Sequence, residues 1–208
     1  MQDEPQNEPQ DERLLLAQIA TGDEEALRQL YLAYRPRLRR YLWHQLGGDT
    51  ASVEDALQEV FLAVWRTAAG YRGEARVSTW LYQIARYVAL GARKRRARHP
   101  DALRLDAADE GERDQCDLPD ALGWSVADGR DYERQTLDRV ALGDALDRLS
   151  PRHREALTLV FQHGFSLREV AQILDVPAGT VKSRISYARK ALLRALDVTL
   201  AEEAHRDA

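Results

Sequence analysis

The chain has 208 residues, a formal net charge of -4 and one cysteine, Cys116, which allows one or two domains and rules out an internal disulfide. A lone cysteine fits a reducing compartment, and the acidic, polar N-terminus is the opposite of a secretory signal. No apolar run approaches the roughly 20 residues that span a bilayer, so a soluble cytoplasmic protein without membrane insertion is expected.

Residues 1–12 hold five acids (Asp3, Glu4, Glu8, Asp11, Glu12) and no base, and their polar, Pro-containing composition predicts a disordered acidic tail. From Asp23 a helical pattern runs through Ala26, Leu27, Leu30, Tyr31 and Tyr34. Pro36 either starts a new helix or kinks this one. Leu38, Tyr41, Leu42 and Leu46 continue the stripe to Gly47-Gly48. A further helix begins near Ser52, with Val53, Leu57, Val60, Phe61 and Val64 inward. Its other face carries Glu54, Asp55, Gln58, Glu59, Leu62 and Arg66. Such a face is ordinarily solvated, and beside exposed apolar groups it could also hold a basic partner helix.

Residues 70–78 read as a loop with two glycines, followed by a helix from about Thr79 with Trp80, Leu81, Ile84, Ala85 and Val88 on its apolar side. This region mixes aromatics with cations: Tyr71, Arg72, Arg76, Trp80, Tyr82, Arg86 and Tyr87. Single-stranded DNA is held by that combination, through base stacking and phosphate contact. Trp80 lies on the apolar stripe and reads as core, whereas Tyr71 and Arg72 lie in the loop and read as functional. The helix ends in five bases within residues 93–98.

Residues 99–138 lose the periodicity and carry twelve acids against four bases; they are expected to form a flexible linker, with a short helix around Asp101–Ala107. Periodicity returns near Arg139 with a helix over about 139–148. Ser150 and Pro151 then stand at the N-cap and first position of the next helix, with Ala156, Leu157, Val160 and Phe161 as its core face and His163-Gly164 at its end.

Ser166 and Glu169 form a capping-box pattern before Val170, Ala171, Ile173 and Leu174. Asp175 to Gly179 break that helix, and Thr180 is placed to cap a second one with Val181, Ile185, Ala188 and Leu192 inward. Two such helices, one bracing and one entering the major groove, make a helix-turn-helix. Groove-entering residues come from the first half of the second helix, which selects Lys182, Ser183, Ser186 and Tyr187 as base readers. Arg168, Arg184, Arg189 and Lys190 are placed as phosphate anchors. Residues 148–194 hold nine bases against three acids, so this end is locally positive despite the overall charge.

The five histidines (His44, His99, His153, His163, His205) are scattered, and neither a phosphate-binding glycine loop nor a nucleophile motif occurs. No enzyme, cofactor or metal is expected. No strand-like alternation appears, so the fold expected is all-α: two helical domains on a linker.

These segments resemble the sigma-70 family of bacterial transcription initiation factors, in its small extracytoplasmic-function (ECF) form. VEDALQEVFLAVWR at 53–66 is similar to the region 2 helix that binds the polymerase clamp helices, and YRGEARVSTWLYQIAR at 71–86 to the promoter-melting loop and helix. LSPRHREALTLV at 149–160 and GFSLREVAQILDVPAGTVKSRISYARKAL at 164–192 are similar to region 4. The resemblance implies a region 2 domain over 13–98, a linker over 99–138 and a region 4 domain over 139–200. It implies that Asp55, Gln58, Glu59 and Leu62 contact polymerase. Tyr71, Arg72, Gly73, Arg76, Ser78 and Arg86 would hold the -10 element, and Arg168, Thr180, Lys182, Ser183, Arg184, Ser186, Tyr187, Arg189 and Lys190 the -35 element. The implied partners are core RNA polymerase, through its clamp helices and flap, promoter DNA and an anti-sigma factor. The acidic linker would thread toward the polymerase active-site channel. Two positions depart from the family pattern, Tyr87 and Gly91, where Asn and Asp are frequent, and no further C-terminal domain is expected. A stand-alone helix-turn-helix regulator is the alternative; it would need a dimer and palindromic sites, and it leaves 53–98 unexplained.

Overall fold

Every regular element is helical among the residues described by the structure, a computed structural model; these are residues 9–97, 146 and 149–206, with side chains for 11–97, 146 and 149–194. The chain divides into two compact units, with Gln172–Asp175 grouped with the first. The expected linker, the short helix near 101–107, the helix at 139–148 apart from residue 146, and Cys116 lie outside the described residues.

The first unit contains α1 (Pro9–Ala20), α2 (Glu24–Gln45), α3 (Thr50–Thr67), a 3-10 turn (Ala68–Gly70) and α4 (Val77–Ala97). Helix α1 corrects one expectation, since residues 9–12 are helical rather than part of a disordered tail. Tertiary packing explains it: Leu16 and Ile19 are buried, and Glu12 Oε1 accepts a 2.7 Å hydrogen bond from the hydroxyl of buried Tyr34. Asp11 and Glu12 also lie in the first turn, where the helix dipole favours acids.

Asp23 caps α2, its Oδ1 accepting from the backbone N–H groups of Glu25 (2.9 Å) and Ala26 (3.1 Å). The helix then runs unbroken through Pro36. Leu30, Leu38 and Leu42 from α2 join Leu57, Val60 and Val64 from α3 and Leu81 and Ala85 from α4 among the buried residues. The rings of Tyr41 and Tyr82 meet at 5.2 Å. Helix α3 starts at Thr50 and α4 at Val77, each two residues before the sequence estimate.

The second unit contains α5 (Pro151–Phe161) and α7 (Ala178–Arg206), with α6 (Leu167–Leu174) between them in sequence. The buried face of α5 is Ala156, Thr158 and Leu159, while Phe161 is 45% exposed. The expected core face was therefore rotated by about one residue at its end.

Both ends of α6 are fixed by local hydrogen bonds. At its start the capping box is complete. Ser166 donates its backbone N–H (2.9 Å) and hydroxyl (2.7 Å) to Glu169 Oε2, and the Glu169 N–H returns to Ser166 Oγ at 3.3 Å. At its end, Val176 N–H donates to Ala171 O at 3.1 Å and Asp175 N–H to Gln172 O at 3.3 Å, the Schellman pattern. Asp175 occupies the left-handed residue of that motif with φ 53°, a conformation that Asp tolerates better than most side chains. Helix α7 begins at Ala178, so Thr180 stands within its first turn rather than capping it.

Candidate nucleic-acid interface

Helix α3 is divided cleanly between its faces. Val53, Ala56, Leu57, Val60, Phe61 and Val64 are buried, while Asp55, Gln58, Glu59 and Leu62 are all exposed. Their spacing of three, four and seven residues from Asp55 puts them on one stripe of the helix. Leu62 is 52% exposed, an apolar group on an otherwise polar face. Two carboxylates of α3 are paired from neighbouring helices. Glu59 takes Arg95 Nη2 on both carboxylate oxygens, at 2.9 and 3.0 Å. Glu54 accepts from Arg39 Nε at 2.8 Å and lies 3.7 Å from Arg35. The Arg39 hydrogen bond, opposed by partial desolvation, holds the Glu54 carboxyl below its ordinary range. The pairings of Arg35, Arg39 and Arg95 are not legible in the sequence, because they depend on contacts between helices.

The loop between the 3-10 turn and α4 is held from inside by Tyr71. Its hydroxyl donates to Ala75 O at 2.6 Å, its N–H donates to Ala68 O at 3.1 Å, and its ring meets Trp80 at 5.4 Å. Tyr71 therefore braces the loop, a structural part that its reading as a functional loop residue does not contain. Gly73 takes φ 73°, where a side chain would be strained. Arg72 and Arg76 are exposed, and Gly73, Ser78 and Arg86 are half-buried.

The aromatics of α4 part company. Tyr82 is 1% exposed and is excluded from nucleic-acid contact, and burial raises its pKa. Tyr87 is 61% exposed and lies outward, whereas Trp80 is half-buried.

In the helix-turn-helix, Val181, Ile185 and Ala188 are buried as expected. Lys182, Ser183, Arg184 and Thr180 are half-buried, and Tyr187, Arg189, Lys190 and Arg168 are exposed. Ser186 overturns its assignment as a base reader, being only 8% exposed; a small polar residue flanking Ile185 was mistaken for a surface one. Ser183 donates its hydroxyl to Thr180 O at 3.0 Å. Its proton is thereby engaged, leaving oxygen lone pairs to accept from a base amino group. The outward face of α7 carries cations together with the Ser183 hydroxyl and the Tyr187 ring and hydroxyl, the kinds of group that contact phosphates and base edges. Among the described residues no group of three or more His, Cys, Asp or Glu could hold a metal ion, and no helix is long and apolar enough to cross a membrane.

Comparison with known proteins places most of the chain in one family. Residues 30–99 match the family model for sigma-70 region 2, and residues 139–192 that for sigma-70 region 4. The ECF RNA polymerase sigma factor SigM of Mycobacterium tuberculosis is 33% identical over 190 residues, covering 91% of this chain and 86% of that protein. The ECF RNA polymerase sigma-E factor of Escherichia coli is 29% identical over 188 residues, covering 87% of this chain and 92% of that protein. Among solved structures, the sigma factor RpoE of Bartonella quintana, in complex with the anti-sigma factor NepR, aligns with a TM-score of 0.56 at 25% identity, covering 82% of this chain and 96% of that one. CnrH, in complex with the cytosolic domain of CnrY, shares the fold with a TM-score of 0.61 at 23% identity, over 90% of this chain and 98% of that one. With exposed cationic and aromatic groups in both units and relatives alike over most of their length, the chain belongs to the sigma-70 family, as an ECF sigma factor.

Proposed function

We propose that this sigma factor works in the cytoplasm by binding alone, through three surfaces of its own residues. The α3 stripe of Asp55, Gln58, Glu59 and Leu62 docks on core RNA polymerase. The loop braced by Tyr71, with Arg72, Gly73, Arg76, Ser78 and Arg86, captures the opened -10 strand. The first half of α7, through Lys182, Ser183 and Tyr187, reads the -35 duplex, with Arg168, Arg184, Arg189 and Lys190 on phosphates. The domains are 13–98 and 139–200, joined by the acidic 99–138 segment.

The observation that supports this reading best is the pair of hydrogen-bonded ends of α6. The capping box and the Schellman turn set the two ends of α6 by local hydrogen bonds, so the turn that leads into α7 has a defined backbone geometry. Each surface alone is modest, and linkage through one chain raises the effective concentration of the second contact once the first is made. An anti-sigma partner that masks these surfaces is part of the proposal, supported by the complex formed by the Bartonella relative.

The test is reconstitution with core polymerase on genomic fragments, followed by scrambling of the -35 element in the strongest selected promoter. Lys182→Ala and Ser183→Ala should lower transcription from the intact promoter and keep polymerase binding. Loss of polymerase binding in these variants would show the surfaces to be misassigned.

A further inference from the structure

His153, on α5, belongs to none of the surfaces above, yet its ring is stacked on Tyr187 of α7, with centroids 4.4 Å apart and planes inclined by 24°. The imidazole is itself anchored: a 2.7 Å hydrogen bond joins its Nδ1 to Ser150 Oγ. Ser150 stands at the N-cap of α5 but makes no side-chain cap hydrogen bond. A serine there ordinarily gives its oxygen to a backbone N–H of the first turn. Here the hydroxyl is directed to the imidazole instead.

We infer that His153 is a positioning residue for promoter recognition, holding the Tyr187 ring in one orientation on the DNA-facing side of α7; this rests on α7 being the -35 reader. Tyr187 is 43% exposed, and a ring that far out on a helix surface would otherwise sample its rotamers. Ordering it only on binding would weaken the complex, because immobilising a side chain at an interface costs free energy. The stack places that cost in the folded protein, before DNA arrives. Stacked on the imidazole and still 43% exposed, Tyr187 keeps surface for the groove. The chain Ser150–His153–Tyr187 thus ties a reading side chain to α5, a helix that need not touch a base itself.

The test uses holoenzyme and a promoter fragment premelted across its -10 region, with the -35 duplex intact or scrambled. His153→Ala should weaken binding to the intact fragment about fivefold, the size of one aromatic pair, with no change on the scrambled one. His153→Phe, which keeps a stacking ring, should recover most of the loss. In a Tyr187→Ala background, His153→Ala should add nothing. Equal losses on both fragments, or full additivity with Tyr187→Ala, would overturn the positioning role. Lys182→Ala separates the two levels of the argument. If it discriminates between the fragments while His153→Ala is silent, only the positioning role fails. If it too is blind to the -35 duplex, the assignment of α7 fails and the role of His153 falls with it.

Discussion

Arg95 near the end of α4 grips both carboxylate oxygens of Glu59 on α3, at 2.9 and 3.0 Å. The pair joins the basic end of α4 to the α3 stripe proposed to dock on polymerase. Its side chains remain 60% and 46% exposed, so its intrinsic worth is small and screened by salt. Its larger consequence is for availability: Glu59 is already engaged, whereas Asp55 makes no ion pair among the described residues.

Asp55→Asn should therefore weaken core polymerase binding more than Glu59→Gln. Titration of labelled core polymerase with each full-length variant checks this, and a larger loss for Glu59→Gln would show that the Arg95 pair opens on docking.

Ser166→Ala removes the hydroxyl that both accepts from Glu169 N–H and donates to Glu169 Oε2. The expected cost is about 1 kcal/mol of stability in the second unit, read by chemical denaturation. Transcription that depends on the -35 element should fall with it, since α6 leads through one turn into α7, the proposed -35 reader.

Gly91 lies inside α4, and a Cβ there would meet only Arg95 Nη1, at 3.6 Å, an ordinary contact. Gly91→Ala should stabilise the protein by about 0.5–1 kcal/mol by restraining the unfolded chain. A fall in stability on denaturation would mean that the Arg95 side chain cannot accommodate the methyl group.

Tyr34 and Tyr82 set an alkaline limit. Burial raises both above the ordinary tyrosine value of 10.0, and for Tyr34 the hydrogen bond to Glu12 adds to it. Each is thus neutral in the folded state at a pH where it ionises in the unfolded one. Their contribution is complete below pH 10.0 and is lost as pH rises through the folded values. Unfolding free energy should decline above about pH 10, and Tyr34→Phe or Tyr82→Phe should flatten that decline.

Much of this was legible in the sequence because the signals are local. Ser166 and Glu169 sit three residues apart and form the capping box they announce. Spacing identifies Val53, Leu57, Val60, Phe61 and Val64 as inward residues of α3, and Ala56, also buried, is not among them. What failed was decided by contacts between elements. Tyr82 and Tyr87 are chemically alike, yet five residues on α4 carry one to 1% and the other to 61% exposure. Within the apolar run of α5, hydropathy could not rank Leu159, fully buried, above Phe161. Ser186 carries no apolar signal at all and is nonetheless covered. The start of α1 was hidden by polar composition, and the tie from Glu12 to Tyr34 spans 22 residues.

The central claim is that this chain lends core RNA polymerase its choice of promoter. Transcription of a genomic fragment library by core polymerase, with and without the full-length chain, tests it most directly. The account predicts a limited new set of start sites sharing one motif near -10 and another near -35. An unchanged set of start sites, with no association between the chain and polymerase, would contradict it.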